Sequence, residues 1–212
     1  MGIRTLGPLR WDRDSLWIPR FDRVPQKIDI GGYIHPMERI GLESLIAAAG
    51  VAEFGANLNH EIYLNVIAQY STSPTQEIFE YILRDFLNIC CGNTDNHGRN
   101  TSFMRLPSGR VELSPLFDFA PMVLDDSGIA RASRWQHEVL QIPNLHQLQQ
   151  DLFQNHKISL IETEQFLIKV FENLENLKEL MVRNHIDSEV VELATKKYEP
   201  FMIALKAWVT SK

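Results

Sequence analysis

The chain has 212 residues, of which 44% are hydrophobic, and its formal net charge is −6. This is enough apolar material for one well-packed domain, or for a large domain with a small appendage. The negative charge argues against a DNA-binding surface on this chain, because duplex binding depends mainly on neutralising phosphates. No apolar run approaches the length of a membrane span, and the N-terminus lacks an apolar signal-peptide core.

The first third of the chain is predicted to contain an extended segment and two helices. Residues 16–21 read as a short strand or an extended, hinge-like segment, and the glycine-rich residues 31–33 form a loop. A helix is predicted from about Pro36 or Met37 to residue 49, where Gly50 would cap it. A second helix is predicted over residues 59–70.

A third helix has the clearest start signal in the chain. Ser73 would be its N-cap, Pro74 its first residue and Gln76 a capping-box partner. At its far end, Cys90 and Cys91 are interpreted as buried, reduced core thiols; a vicinal disulfide or a metal pair is the alternative, and no matching cysteine pair exists elsewhere. Reduced thiols favour a cytoplasmic location, which we expect for this protein.

A polar loop and a β-hairpin follow the third helix. Residues 101–106 and 111–113 are predicted strands, and the turn signal at 107–109 joins them. Arg131, Arg134 and Trp135 are interpreted as a solvated basic face packed by the tryptophan, with an acidic or nucleotide partner as the alternative. The last third is predicted to form antiparallel helices, interrupted near Pro200. The sequence therefore predicts a mainly α fold with a small β-hairpin.

The polar loop and the segment after the hairpin carry the residues with chemical potential. Asp95 and Asn100 are five positions apart in the loop, and Asp118 follows the hairpin. Phosphoryl transfer uses such a set: one Asp orients or deprotonates the attacking hydroxyl, while an Asn and a second Asp hold Mg²⁺ against the nucleotide phosphates. A polar loop with Asx caps and a solvated Asp118 explains the same residues equally well, because Asp and Asn favour turns.

His97 lies two residues after Asp95. Its imidazole either holds the loop by a hydrogen bond or acts directly, by supporting the Asp or by contacting the transferred phosphate. The seven histidines of the chain have no H-x-x-x-H spacing, so a histidine-based metal site has no support.

Residues 92–100 and 113–118 resemble the C-terminal domain of HipA-family serine/threonine kinases, the toxins of bacterial toxin–antitoxin modules. Residues 20–23, Arg-Phe-Asp-Arg, resemble the segment after the hinge in HipA-like proteins. The similarity extends from about Leu16 to the C-terminus. It is strongest across residues 92–118 and is only architectural beyond residue 140.

The resemblance implies a fold, a division into domains and a set of roles. The fold would be a kinase C-lobe-like helical domain whose small β-hairpin is joined to the catalytic-type loop, with a hinge-like N-terminal segment at 1–30 and the HipA-like domain at 31–212. ATP and Mg²⁺ would be the cofactors. The implied roles are a base at Asp95, support from His97, metal ligation by Asn100 and Asp118, and adenine contacts from Ile18, Pro19, Arg20 and Phe21.

The resemblance also has gaps. No Gly-rich phosphate loop precedes residue 16, and the first lysine, Lys27, follows the hinge-like segment, so an N-terminal lobe with an ATP-contacting lysine is missing. Arg99 replaces a frequent lysine, and Pro19 replaces a frequent glutamate but keeps its carbonyl for an adenine. The chain is expected either to be the catalytic lobe of a HipA-like kinase, or to be an inactive relative that binds a partner.

The implied partners are an N-lobe polypeptide, a HipB-like DNA-binding antitoxin and a protein substrate, whose identity no residue specifies. Direct nucleic-acid and membrane contacts are not expected.

Overall fold

The computed structural model describes residues 2–24, 30–33, 37–53 and 55–212. The N-terminal part is an antiparallel ribbon of β1 (Arg10–Asp12) and β2 (Ser15–Trp17). A second strand pair joins β3 (Arg23–Val24) to β4 (Glu38–Arg39). The predicted extended segment at 16–21 is thus a strand only up to residue 17. The domain division at residue 30 stays a prediction, since residues 25–29 lie outside the described part.

The predicted helix from Pro36 or Met37 to residue 49 is wrong over most of its length; Pro36 itself lies outside the described residues. β4 is followed by β5 (Gly41–Ser44) and only then by the short α1 (Leu45–Ala48). β5 pairs with a strand far along the chain, so its partner is absent from the local sequence. Ser44 caps α1, and Gly50, with φ of +76°, ends it as predicted.

Two long helices form the centre of the molecule. They are α2 (His60–Tyr70) and α3 (Pro74–Cys90). Pro74 starts α3 as predicted, but the Ser73 side chain makes no capping hydrogen bond. α3 is buried on nearly all sides, so it places charged as well as apolar side chains in the interior. Cys90 and Cys91 are buried and free, which confirms that they are core thiols.

The predicted hairpin is confirmed. β6 (Ser102–Arg105) and β7 (Val111–Leu113) pair through a turn at Gly109, and β5 completes a three-stranded antiparallel sheet in the order β5-β6-β7. A short 3₁₀ turn, Met122–Leu124, and the small strands β8 (Glu138–Val139) and β9 (Ile142–Pro143) follow. The hairpin thus returns the chain toward the end of α3.

Helices form the C-terminal part of the fold. They are α4 (Leu145–His156), α5 (Leu160–Leu174), α6 (Leu177–Arg183), α7 (Ser188–Ala194) and α8 (Tyr198–Thr210). The predicted interruption lies between α7 and α8, and Pro200 is in the first turn of α8 rather than at a break.

Aromatic pairs join the C-terminal helices to α3. Phe79 stacks on Phe166 with ring centroids 4.4 Å apart, and Phe86 packs on Phe201 at 4.9 Å. A mainly α fold with a small hairpin is therefore what the chain adopts. Among the described residues, no helix is both long and apolar enough to cross a membrane.

Candidate active site

The polar loop (residues 92–100) begins where α3 ends. Cys91 is the C-cap of α3, and the chain then turns at Gly92, whose φ is +67°. A Cβ atom at Gly92 would lie 2.5 Å from Val123 Cγ1 and 2.6 Å from the Ala194 carbonyl oxygen. Because only glycine fits this close approach, the loop leaves the helix in a fixed direction.

The structure brings the residues with predicted catalytic and metal roles together. His97, Asn100 and Asp118 line one cavity of about 20 Å³. The Asn100 side chain donates through Nδ2 to the Asp95 carbonyl oxygen at 2.9 Å, and His97 Nε2 lies 3.5 Å from Asp95 Oδ1. A cavity of this size holds roughly one water molecule, so a nucleotide would have to lie outside it.

The segment that carries Asp118 is held by the N-terminal residues of the chain. The Leu116 N–H donates to the Arg4 carbonyl at 2.8 Å, and Leu116 forms a parallel β-bridge with Thr5. Asp118 then adopts a φ of +53°, in the left-handed region that Asp tolerates better than most residues. These contacts place an exposed carboxylate at the mouth of the cavity.

Of the predicted hinge-like residues 18–21, Phe21 contacts this site. The Phe21 ring stacks on Phe117 with centroids 5.7 Å apart, and Phe117 lines the cavity. Residues 18–20 are exposed, and the Arg20 guanidinium binds the Asp22 carboxylate, with Nε 2.8 Å from Oδ1. Contact between the backbone of this segment and an adenine stays a prediction.

A buried polar network beneath the loop was not predicted. Asp85 of α3 accepts hydrogen bonds from Arg131 Nη2 at 2.7 Å, Trp135 Nε1 at 2.8 Å and Asn96 Nδ2 at 3.1 Å. His60 completes it, with Nε2 3.3 Å from Asp85 Oδ1. We call these five residues the Asp85 cluster, and all of them are buried.

The Asp85 cluster corrects one interpretation of the sequence. Arg131 and Trp135 are core residues rather than parts of a solvated basic face, and of the three only Arg134 is exposed. The one signal that could have indicated this is a charged residue, Asp85, placed among the apolar positions of a helix that is buried on nearly all sides. Its partners come from 11 to 50 residues away in sequence, so spacing could not reveal them.

Burial and neighbouring charges determine the ionisation of the cluster. Burial lowers the pKa of His60 to about 4; Asp85 acts to raise it, and the Arg131 cation acts to lower it further. Burial alone would raise the pKa of Asp85, but the Arg131 charge and the His60, Trp135 and Asn96 contacts outweigh it, so that pKa lies below its usual value. At neutral pH the cluster therefore contains one ion pair, between Asp85 and Arg131, and a neutral imidazole.

A second network, largely buried, lies on the neighbouring face of α3. Arg4 binds Glu77 and Glu80, and Arg84 binds Glu80 and donates to the Ser114 carbonyl oxygen at 2.6 Å. Arg84 also lines the cavity. This network ties the N-terminal segment and the chain just before Asp118 to the same helix that delivers the polar loop.

Comparison with protein families gives one match. The HipA-like C-terminal domain family matches residues 4–186, most of the chain. No curated protein sequence matches the chain.

Comparison with solved structures gives a set of 24 matching chains. One of them is HipA of Shewanella oneidensis MR-1, from a complex of HipA, HipB and operator DNA. It is 14% identical, with a TM-score of 0.62, and the match covers 97% of this chain and 52% of that chain. At this identity the match shows a shared fold, and the chain spans about half the length of the solved HipA chain.

Proposed function

The chain belongs to the HipA-like C-terminal domain family, and from that membership we propose that it is the catalytic lobe of a HipA-like Ser/Thr protein kinase. It would transfer the γ-phosphoryl group of ATP to a protein hydroxyl once an N-terminal lobe completes the site. The observation that carries the proposal is that His97, Asn100 and Asp118 line one cavity from two separate segments, with Asp95 in contact with His97 and Asn100.

The residues at the cavity suit a Mg²⁺ ion. Asn100 commits its Nδ2 to the Asp95 carbonyl, which leaves its Oδ1 as the free ligand atom. Asp118 supplies an exposed carboxylate at the same cavity, and Mg²⁺ prefers a few such oxygens together with water and phosphate. When bound, the ion would neutralise charge that develops between the phosphates.

Buried polar atoms of the polar loop that have no hydrogen-bond partner support the proposal that a ligand binds at the cavity. Asn93 Oδ1, Thr94 Oγ1 and His97 Nδ1 are buried without a hydrogen-bond partner in the described part of the chain. Buried polar atoms in native proteins nearly always have a partner, which can be protein, water or a bound group. Three such atoms within five residues fit a loop whose partners arrive with the substrate complex.

Asp95 is the proposed base and His97 its support. The Asp95 carboxylate is partly exposed beside the cavity, where a substrate hydroxyl could approach it. His97 Nε2, 3.5 Å from that carboxylate, would orient it by a hydrogen bond as the complex closes. Positioning of this kind, with charge stabilisation by the metal ligands, supplies most of the rate advantage in phosphoryl transfer.

An apolar surface at the N-terminus supports the need for a second lobe. Trp11 and Leu16 are directly opposite each other in the β1–β2 ribbon, and Leu9 and Ile18 continue the same side by strand alternation. These four side chains, which we call the ribbon face, are between 49% and 70% exposed. A two-stranded ribbon is marginal alone, so the proposed N-terminal lobe would cover this face.

The decisive experiment combines this chain with a HipA-like N-terminal lobe and follows labelled phosphate from ATP into protein. Asp95→Asn should retain Mg-ATP binding and lose roughly two to four decades in rate, as expected for a general base. Asp118→Ala should lose metal-dependent binding and turnover together. Asp126→Asn, in an exposed turn after the site, is the matched control and should retain the wild-type rate.

Wild-type transfer by both Asp95→Asn and Asp118→Ala would refute the assigned roles. If the combined protein transfers no phosphate under any condition, the second candidate is favoured: an inactive kinase relative that binds partners. The exposed ribbon face fits that candidate as well, because a partner would dock on it in either case. A HipB-like protein is a proposed partner under both, by analogy with the solved HipA complex.

A further inference from the structure

Asn96 lies between the two residues proposed to act in catalysis. It lines the cavity, as Asp85 and His60 do, but its side chain is buried beneath the loop. Its residue exposure is 8%, whereas the side chains of Asp95 and His97 are 33% and 28% exposed. Because neighbouring side chains in an extended loop project in different directions, burying Asn96 inward directs its two neighbours outward.

Every polar atom of the Asn96 side chain is hydrogen-bonded. Nδ2 donates to Asp85 Oδ1 at 3.1 Å and to the Ser133 carbonyl oxygen at 3.1 Å. Oδ1 accepts from the Ala132 N–H at 3.1 Å and the Ser133 N–H at 3.0 Å. One amide thus joins the polar loop to α3 and to residues 132–133.

The other members of the Asp85 cluster hold in place the groups that Asn96 contacts, which are the Asp85 carboxylate and the backbone near Ser133. Arg131 contributes a 2.7 Å ion pair to Asp85 and a 3.0 Å hydrogen bond to the Ser133 carbonyl, so it ties the same two groups that Asn96 contacts. Trp135 and His60 stack with ring centroids 4.6 Å apart and close the cluster from the side of α2. The network therefore holds the loop against α3 and against residues 132–133.

Stability alone gives little reason for such a network. Replacing a buried ion pair by apolar residues of similar volume is often neutral or stabilising. A fully satisfied polar network instead favours one orientation of each member, because any displaced group would be left unpaired in the interior.

We propose that Asn96 is a positioning residue: through Asp85 and residues 131–133, it fixes the orientation of Asp95 beside the cavity. This inference rests on the proposed kinase function and adds to it a residue whose side-chain polar atoms are all hydrogen-bonded within the protein. Residues 131–133 follow Asp118 in the chain, so the segment that leaves the metal site is bound back onto the loop of the base.

Kinetics on the chain combined with its N-terminal lobe test the proposal first. Asn96→Ala should lower kcat by roughly 10- to 100-fold, the cost expected when a base is misplaced by about 1 Å. The KM for Mg-ATP should change less than kcat, because Asp118, one of the two proposed metal ligands, is anchored separately through Leu116 and Arg4. If Asp85 and Asn96 act as a unit, adding Asp85→Asn to Asn96→Ala should cost little more than either change alone.

Tyr198→Phe is the matched control. It removes a buried hydroxyl that donates to the Leu174 and Glu175 carbonyls at 2.7 and 2.8 Å, in the C-terminal helices. It should therefore destabilise the fold without changing kcat. An equal kcat loss in Tyr198→Phe and Asn96→Ala, or a wild-type kcat in Asn96→Ala, would overturn the proposal.

Amide hydrogen exchange on the full chain alone gives a second measurement that does not depend on activity. The Asn100 N–H donates to the His97 carbonyl at 3.0 Å within the loop. Asn96→Ala should speed its exchange by about tenfold or more relative to Tyr198→Phe, because it opens the loop locally. Equal protection in the two variants refutes the positioning role. Loss of protection in a protein that transfers no phosphate supports the role and refutes only the kinase function.

Discussion

Acidification should destabilise the fold through His60. The imidazole is 1% exposed, and it lies among Tyr81, Asp85 and Arg131. Arg131 is a donor only, so His60 Nε2, 3.2 Å from Arg131 Nη2, accepts its hydrogen bond. The proton then resides on Nδ1, which donates to the Tyr81 hydroxyl oxygen at 2.8 Å. Protonating Nε2 would place two cationic N–H groups against each other inside the protein.

The size of the effect follows from the pKa shift. The pKa of His60 is about 4 in the folded chain, against an ordinary value of 6.5. As the pH falls, the unfolded chain therefore takes up the proton first. The stability linked to His60 is complete above pH 6.5 and is lost as the pH falls toward 4. At about 1.4 kcal/mol per pKa unit, the loss reaches roughly 3 kcal/mol at pH 4.

Urea unfolding of the wild type and His60→Gln, measured from pH 7 to pH 4, isolates this contribution. Other groups titrate in the same range: burial raises the pKa of Glu61 and lowers the pKa of His156. Subtracting the variant curve from the wild-type curve removes both. The difference in unfolding free energy should change by roughly 3 kcal/mol in the direction of wild-type destabilisation at low pH. A flat difference, or one of opposite sign, would refute the neutral, buried imidazole.

Two further changes test the ribbon face and the polar loop. Trp11→Ala should change the unfolding free energy of the chain alone by less than about 0.5 kcal/mol, because the side chain is 70% exposed. The same change should weaken binding of an N-terminal lobe by about 2 kcal/mol or more. Calorimetric titration measures this, with Ile203→Ala, 68% exposed on α8, as the control; equal binding by both variants would remove the ribbon face from the interface. Gly98→Ala should destabilise the chain by roughly 1–3 kcal/mol and disorder the loop, since the new Cβ would lie 2.5 Å from Tyr63 Cζ. Gly7→Ala is the control, because it has no positive φ and its new Cβ would meet only Pro19 Cγ, at 3.7 Å; a loss no larger in Gly98→Ala would contradict the packing argument.

Local patterns predicted the elements that have local causes. The third helix begins at Pro74 because proline suits the first helical turn, and the hairpin forms because a turn signal separates two short strands. The helix, loop, hairpin and Asp118 follow in the predicted order, and in the fold Asn100 and Asp118 line one cavity. The roles of these residues in catalysis stay predictions.

Local sequence patterns gave wrong predictions where a residue distant in sequence determines the structure. Residues 41–44 were predicted as helix because nothing nearby marks a strand, yet they pair with residues 102–105. Helix N-capping was also predicted incompletely. Ser73 occupies the N-cap of α3 without making the expected hydrogen bond. Ser159 and Glu162 form a complete capping box at the start of α5 that was not predicted. The free energy gained from tertiary pairing and packing can exceed the local preference of a segment for helix or strand.

The sequence by itself identified the reactive groups and their spacing. It also limited where they can lie, because a loop of fixed length after a stiff helix can hold them in only a few arrangements. Only the tertiary structure decided which side chains hold that loop. Asp85, Asn96 and Arg131 look like ordinary solvated residues in the sequence. They become a buried, mutually satisfied network because α3 lies inside the fold, where an unpaired charge is too costly to persist.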